Sequence, residues 1–197
     1  METRGNSQAG GRAQPDLEGL TSADPTGGTL GHAYARAGLL GNPGDGYGGK
    51  ALATTVEAFQ ATVRIVPRED FVLSPNPHDG LRFPTLRDAA RAFDGGGCED
   101  GLRLIRAAVR RFFDLARAAG GHTGELGRGA QVGYETSIPR QVGLSGSSAL
   151  VIATLRALSR HYDLEIAPFD LAEAALAAEV EDLGIAAGPM DRVVQSY

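Results

Sequence analysis

The segment Ser137–Ala149 is a glycine- and serine-rich loop that runs directly into an apolar helical pattern over Leu150–Leu158. Pro139 opens this loop, and Gly143 and Gly146 allow positive φ angles and a close approach of the backbone to a ligand. The free backbone N–H groups at a helix N-terminus bind phosphate without a cationic side chain. The segment therefore predicts an anion site where a strand meets a helix, and the alternative is an ordinary serine-capped helix after a glycine-rich turn.

Three segments of the chain together resemble the signatures of the GHMP small-molecule kinases. The loop is similar to the second signature, Pro-x-x-x-Gly-Leu-Gly-Ser-Ser-Ala, with Ser145 as one extra residue. The segment Ala35–Lys50 is similar to the first signature, and Ala178–Glu179 with Gly184–Arg192 resembles a downstream segment of the family. The three occur in family order and at family-like separations, which makes them more specific together than any one alone. The resemblance covers Gly31–Tyr197, and the residues of the first two motifs are most similar to those of the glucuronokinase branch.

The resemblance implies an α+β fold, that of the ribosomal protein S5 domain 2-like N-terminal domain of these kinases, over residues 31–197. Residues 1–30 are rich in Gly, Ser, Thr, Pro and isolated charges without a hydrophobic period, so we expect a disordered tail there. The family also carries a C-terminal ferredoxin-like domain with a further glycine-rich signature, and no Gly-Ser-Gly-Gly-type segment follows Asp191. The expectation is therefore the N-terminal ATP-binding domain of an incomplete enzyme, without the ferredoxin-like domain.

Hydrophobic periodicity predicts the elements around the loop. Alternation over Thr54–Val66 predicts a half-buried strand with Phe59, Ala61, Val63 and Ile65 on its more apolar face. Helical spacing of apolar residues predicts an amphipathic helix over Gly101–Ala119, whose other face carries five arginines. The remaining predicted elements are strands over Gly31–Leu40, Phe71–Leu73 and Gln131–Ile138, a tight loop over Gly41–Gly49, and helices over Leu86–Phe93, Ser148–Tyr162 and Pro168–Leu183.

Composition excludes several classes of protein. Of the 197 residues, 42% are hydrophobic, which suffices for a core, and the net charge of −5 argues against a nucleic-acid partner. The single cysteine, Cys98, excludes an intramolecular disulfide framework and fits a reducing compartment. No apolar run approaches the ~20 residues that span a bilayer, and the N-terminus lacks the layout of a secretory signal. We therefore expect a cytoplasmic protein with no nucleic-acid or membrane partner, and its oligomeric state stays open.

The resemblance implies that the loop binds ATP and a magnesium ion. Its amides would surround the β- and γ-phosphates, and Ser148 would bind Mg²⁺ through its hydroxyl. Mg²⁺ also favours carboxylate oxygens, and Glu179 has the Ala-Glu context of the family, with Glu181 as its rival. A helix cap for Ser148 and a surface position for either glutamate are the alternatives. The residues expected at the nucleotide are Pro139, Gly143, Leu144, Ser145, Gly146, Ser147, Ser148 and Ala149.

Two residues are expected to be catalytic. Asp191 follows the turn Gly188-Pro189-Met190 and would accept or orient the proton of the acceptor hydroxyl. Its alternative role is to cap a helix that begins at Arg192. Arg36 occupies the position where relatives place a Lys or Arg that reaches the acceptor hydroxyl and the γ-phosphate. Arg192 is interpreted as a ligand of phosphate or of a substrate carboxylate, or as a solvated side chain.

The acceptor site is expected at Asn42, Asp45, Tyr47 and Lys50, although Asn-Pro-Gly-Asp is also a strong turn signal. Lys50 is the only lysine of the chain, and a cation there suits a uronic acid. The resemblance implies ATP- and Mg²⁺-dependent phosphorylation of a sugar hydroxyl, with the anomeric position of glucuronate favoured. Galactose or a heptose phosphate as acceptor, or a non-catalytic nucleotide-binding module, are the alternatives. The four histidines lack ligand spacing, so no zinc site is predicted.

Overall fold

Five strands form one mixed sheet in a computed structural model that describes residues 27–74, 81–93, 102–120 and 125–197. The strands are β1 (Thr29–Leu40), β2 (Leu52–Arg68), β3 (Phe71–Leu73), β4 (Leu81–Phe83) and β5 (Gly129–Thr136). Their order in the sheet is β1-β2-β5-β3-β4, and every neighbouring pair is antiparallel except β5 and β3, which are parallel. Strand β1 is therefore one edge of the sheet, and it forms a long antiparallel ribbon with β2.

Helices cover this sheet. They are α1 (Leu86–Ala92), α2 (Arg103–Ala118), α3 (Gly146–His161), α4 (Pro168–Ala177) and α5 (Met190–Ser196), and α4 continues into a π-helical turn over Ala178–Asp182. Short 3₁₀ segments occupy Gly44–Tyr47 and Glu125–Gly127. Helix α3 packs on β1 and β2, α2 and α4 pack on α3, and α5 returns to β1 and β2. None of the helices in the described ranges has both the length and the apolar character that crossing a membrane requires.

Helix α3 is the centre of the core because it is buried along almost its whole length. Its alanines let it approach β1 closely, and a Cβ at Gly31 would collide with the backbone of Ala153 and Ala157. This close packing brings β1 to the loop that precedes α3, where the amide of Arg36 donates to the carbonyl of Leu144 at 3.2 Å. The fold therefore places an arginine of the edge strand against the glycine-rich loop.

The α+β prediction is confirmed. In β2 three residues of the predicted apolar face, Ala61, Val63 and Ile65, are fully buried, and the fourth, Phe59, is partly buried against the core. Helix α3 begins at Gly146, two residues before the predicted start, and the helix expected to reach Leu183 changes to a π-helical turn after Ala177. Strand β4, between Pro77 and Pro84, was not predicted, whereas β3, which is also three residues long, was. Strand β1 begins before the predicted boundary at residue 31, and residues 1–26 of the predicted tail lie outside the described residues.

Candidate active site

The glycine-rich loop leads from β5 into the N-terminus of α3. Three of its residues, Gln141, Gly143 and Ser145, have the left-handed φ angles of 61°, 76° and 54°. Ser145 occupies the N-cap position of α3, yet its side chain makes no cap hydrogen bond. The first intrahelical bond of α3 runs from the amide of Ala149 to the carbonyl of Ser145 at 3.1 Å. The amides that precede Ala149 in the first turn therefore have no intrahelical partner and are oriented for an anion.

Two cavities flank this loop. The α2-side cavity, of about 490 Å³, lies between the loop, the end of β5 and the start of α2, and Arg103 and Tyr134 line it. The α5-side cavity, of about 560 Å³, lies between the Gly44–Tyr47 segment, the π-helical turn and the start of α5. Ser147 lines both cavities. Two ligands could therefore meet at the N-terminus of α3, which is the arrangement that group transfer between them needs.

Asp191 lies in the first turn of α5 and lines the α5-side cavity. Arg36 Nε donates to Asp191 Oδ1 at 2.5 Å, and the Ser145 hydroxyl donates to Oδ2. Arg36 Nη1 also donates to the carbonyl of Gly143 at 3.0 Å. The structure thus brings together the two residues that the sequence suggested as catalytic, and it holds the carboxylate of Asp191 between β1 and the loop.

Glu179 lies in the π-helical turn and is completely buried. Its Oε2 accepts hydrogen bonds from the hydroxyl of Ser148 at 3.1 Å and from Arg192 Nε at 2.6 Å. Arg192 Nη1 donates in addition to the carbonyl of Gly188 at 2.7 Å. Within the described part of the chain, Oε1 of Glu179 is buried without a hydrogen-bond partner. A buried carboxylate oxygen without a partner is costly, so Oε1 and the hydroxyl of Ser148 fit a cation.

Glu181 lies apart from this cluster. Its side chain is 65% exposed and pairs with Arg111 at 2.7 Å. Of the two glutamates considered as metal ligands, only Glu179 contacts Ser148. Across the described ranges, no group of three or more His, Cys, Asp or Glu side chains could hold a metal ion. A magnesium ion at Ser148 and Glu179 would therefore need its remaining ligands from phosphate oxygens and water.

Of the four residues expected at the acceptor, Asn42, Asp45 and Tyr47 line the α5-side cavity. Asp45 Oδ2 accepts from the amide of Met190 at 3.0 Å, which ties the 3₁₀ segment to the start of α5. Lys50 is exposed, and it is not among the residues that line this cavity. The structure therefore brings three of the four together and leaves Lys50 outside.

Sequence reasoning missed the roles of two residues of α5. Arg192 is only 3% exposed and pairs with Glu179, so its interpretation as a solvated side chain is wrong. Gln195 is also buried, and its Nε2 donates to the carbonyls of Tyr34 at 2.8 Å and Ser145 at 3.2 Å. Residues four apart share one face of a helix. The pair Asp191 and Gln195 was therefore a signal that one side of α5 faces the loop.

The comparisons with known proteins agree with this geometry. The family model described as GHMP kinases N terminal domain matches residues 103–197. The chain is 36% identical over 172 residues to glucuronokinase 1 of Arabidopsis thaliana, a match that covers 84% of this chain and 46% of that protein. This chain belongs to the GHMP kinase family. The match to probable glucuronokinase 2 of the same plant is also 36% identical, and the GHMP kinase chain thus spans about half the length of these curated relatives.

Solved structures support the fold of this GHMP kinase domain. A mevalonate kinase superposes with a TM-score of 0.68 at 19% identity, covering 85% of this chain and 51% of that one. A Lactococcus lactis galactokinase complexed with galactose gives a TM-score of 0.69 at 16% identity, covering 86% and 42%. By sequence alone, a galactokinase of Thermotoga neapolitana is 33% identical over 67 residues, and that match covers 34% of this chain and 19% of that protein. The structural likeness at these identities shows the fold of the GHMP kinase domain alone.

Proposed function

We propose that this GHMP kinase transfers the γ-phosphoryl group of ATP to a sugar hydroxyl. The acceptor that we propose is glucuronate, phosphorylated at its anomeric oxygen to glucuronate 1-phosphate. The observation that carries the proposal is the pair of Asp191 and Arg36, which lines a cavity that meets the glycine-rich loop at the N-terminus of α3. The choice of glucuronate depends on the names of the relatives, because Lys50 does not line that cavity.

The phosphate groups of ATP are assigned to the α2-side cavity. The amides of Gly146, Ser147 and Ser148 lie at the positive end of the α3 dipole. Arg103 and Arg140 line the same cavity and add positive charge. Together these groups favour a polyanion, with its terminal phosphate directed towards Ser147, where the two cavities meet.

Mg²⁺ is proposed to accompany the nucleotide. The hydroxyl of Ser148 and the carboxylate of Glu179 would hold it, because hard oxygen ligands suit this ion. Once bound, such an ion offsets the negative charge of the β- and γ-phosphates. The chain supplies two oxygens from two elements, the first turn of α3 and the π-helical turn after α4.

The acceptor hydroxyl is assigned to the α5-side cavity beside Asp191. As the acceptor oxygen forms its bond to the γ-phosphorus, the bond from that phosphorus to the β,γ-bridging oxygen breaks and ADP leaves with the electron pair. Asp191 accepts the proton of the acceptor hydroxyl. Arg36 fixes the carboxylate in place, which matters because phosphoryl transfer depends mainly on positioning and charge stabilisation.

The test is ADP release by the purified chain with Mg·ATP and a panel of acceptors: glucuronate, galacturonate, galactose and glucose. Release that requires glucuronate, with a product identified as the 1-phosphate by ³¹P NMR, would support the proposal. Release with another sugar alone would reassign the acceptor. Binding of Mg·ATP without ADP release for any acceptor would contradict phosphoryl transfer and favour a nucleotide-binding module.

The role of Asp191 is tested by Asp191→Ala. We expect this variant to lose phosphoryl transfer while the dissociation constant of ATP stays within a few-fold, because Asp191 lies on the acceptor side of the loop. Asp170→Ala is the matched control, since Asp170 is an exposed carboxylate in the first turn of α4. Undiminished turnover of Asp191→Ala would remove Asp191 from the mechanism.

A further inference from the structure

We infer that Ser145 is a positioning residue for Asp191, whose second carboxylate oxygen it holds. This inference rests on the proposed function, in which Asp191 accepts the proton of the acceptor. The hydroxyl of Ser145 donates to Asp191 Oδ2, while Arg36 donates to Oδ1. Two donors on opposite oxygens fix the plane of the carboxylate. One of these donors belongs to the loop that is assigned to the phosphates of ATP.

The backbone of Ser145 supports this interpretation. Its φ of 54° and ψ of 46° lie in the left-handed region, which glycine adopts freely and other residues adopt rarely. The loop contains glycine at 143 and 146 but serine between them. A residue that adopts a disfavoured conformation at a functional site is a reason to ask what its side chain does there.

The side chain of Ser145 does not serve the helix. Serine at an N-cap normally accepts a hydrogen bond from an amide of the first turn. Ser145 occupies the N-cap position of α3 without such a bond, and its hydroxyl is directed to Asp191 instead. Neither backbone preference nor helix capping therefore accounts for serine at this position, whereas the contact with the carboxylate does.

A second contact joins the same residues of the loop and α5. The carbonyl of Ser145 accepts from Gln195 Nε2 at 3.2 Å, and Gln195 lies one turn after Asp191. The side chain and the backbone of Ser145 therefore both bind the face of α5 that carries the proposed base. The position of the phosphate loop and the orientation of Asp191 are coupled through this residue, so a loop ordered by ATP presents the carboxylate to the acceptor.

The experiment compares Ser145→Ala, Ser145→Gly and the control Asp163→Gly in the full chain. Ser145→Ala removes the hydroxyl, and Ser145→Gly removes it and also relieves the left-handed backbone. Asp163 has a similar left-handed φ of 51°, its side chain is exposed, and it lies after α3, outside the loop and outside both cavities. We expect both Ser145 variants to lower kcat by about tenfold or more, because hydrogen bonds to charged groups are the strong ones. The KM for the sugar and the dissociation constant of ATP should change by less than threefold, and Asp163→Gly should keep the kcat of the parent chain.

Three results would overturn the inference. Unchanged kcat in both Ser145 variants would show that the hydroxyl is dispensable. An equal loss in Asp163→Gly would show that relief of a left-handed backbone, and not loss of the hydroxyl, lowers kcat. A loss confined to ATP affinity would make Ser145 a nucleotide ligand only.

A measurement without turnover separates this inference from the proposed function. Urea unfolding of Ser145→Ala, Asp191→Ala and the double variant gives the coupling between the two side chains. We expect non-additive destabilisation, since each single variant already breaks the same hydrogen bond. A parent chain that releases no ADP would defeat the proposed function, while additive destabilisation would defeat the role of Ser145 separately.

Discussion

The buried pair of Arg192 and Glu179 makes Arg192→Met a decisive substitution. The side chains are 4% and 0% exposed, and two nitrogens of the guanidinium donate to the same carboxylate oxygen. Methionine fills much of the arginine volume but leaves Glu179 with the hydroxyl of Ser148 as its partner. Removing one member of a buried ion pair typically costs about 3–5 kcal/mol. We expect about 3 kcal/mol for Arg192→Met, because the remaining hydrogen bond offsets part of the loss.

The assay is urea unfolding at neutral pH in a chelator-containing buffer, compared with the control Arg82→Met. Arg82 pairs with Asp70 at 2.9 Å, but the arginine side chain is 67% exposed. Exposed ion pairs contribute about 0–1 kcal/mol, so the same chemical change there should cost less than about 1 kcal/mol. Arg192 also donates to the carbonyl of Gly188 and lies 3.6 Å from Asp191 Oδ2, so the difference between the two variants compares the whole buried network of Arg192 with one exposed ion pair.

Adding Mg²⁺ then tests whether a metal ion can replace the positive charge that Arg192→Met removes from beside Glu179. In Arg192→Met the carboxylate lacks its cation, so Mg²⁺ that binds the folded chain at Glu179 should recover part of the free energy of unfolding. Arg82→Met should show no such gain beyond that of the parent chain. A loss for Arg192→Met no larger than that of Arg82→Met would refute the reasoning that this pair is buried and energetically important.

Two further predictions concern stability. Gly31→Ala should lower the free energy of unfolding by about 3 kcal/mol, because the new Cβ would collide with the backbone of α3. Urea unfolding measures this loss, and an unchanged free energy of unfolding would show that β1 and α3 can move apart. Burial, with the positive charge of Arg128, lowers the pKa of His161 below its ordinary value of 6.5. The unfolded chain therefore binds the proton more readily, and stability falls as the pH drops below 6.5. His161→Gln should make this slope shallower in unfolding curves recorded across that range, and an unchanged slope would exclude His161 as a cause.

The elements that are governed by local pattern could be predicted from the sequence. Strand β2 alternates over many residues, and α2 repeats its apolar residues over four turns. Both patterns are long enough to distinguish a strand from a helix, which a short motif is not. The helix was predicted to begin at Ser148, and α3 begins at Gly146 with Ser145 at its N-cap position. The hydroxyl of Ser145 does not cap the helix but contacts Asp191, which is 46 residues away in the chain. No local rule contains that contact.

The residues of the candidate site could be predicted only where they lie in the family motifs. Arg36 and Asp191 are 155 residues apart, and periodicity alone could not join them. Arg192 was harder, because an arginine next to a proposed base suggests a ligand of the substrate. In the π-helical turn Glu179 is directed inward to Arg192 and Glu181 outward to Arg111. Helical spacing favours this outcome, because Glu179 follows the buried Ala175 by four positions and Glu181 does not lie on that face, but the spacing does not show that Arg192 is the partner.

The two cavities differ in charge, and this difference assigns their ligands. Among the described residues, the α2-side cavity is lined by Arg103 and Arg140 without a carboxylate, which suits a polyphosphate. The α5-side cavity is lined by three carboxylates and two guanidinium groups. An anionic acceptor such as glucuronate is therefore repelled by that cavity as it stands. A divalent cation at Glu179 would offset part of this negative charge. Under the proposed function the phosphates of ATP arrive with the metal and carry more negative charge than it neutralises, so the charge of the metal alone does not favour a uronate over a neutral sugar in this cavity.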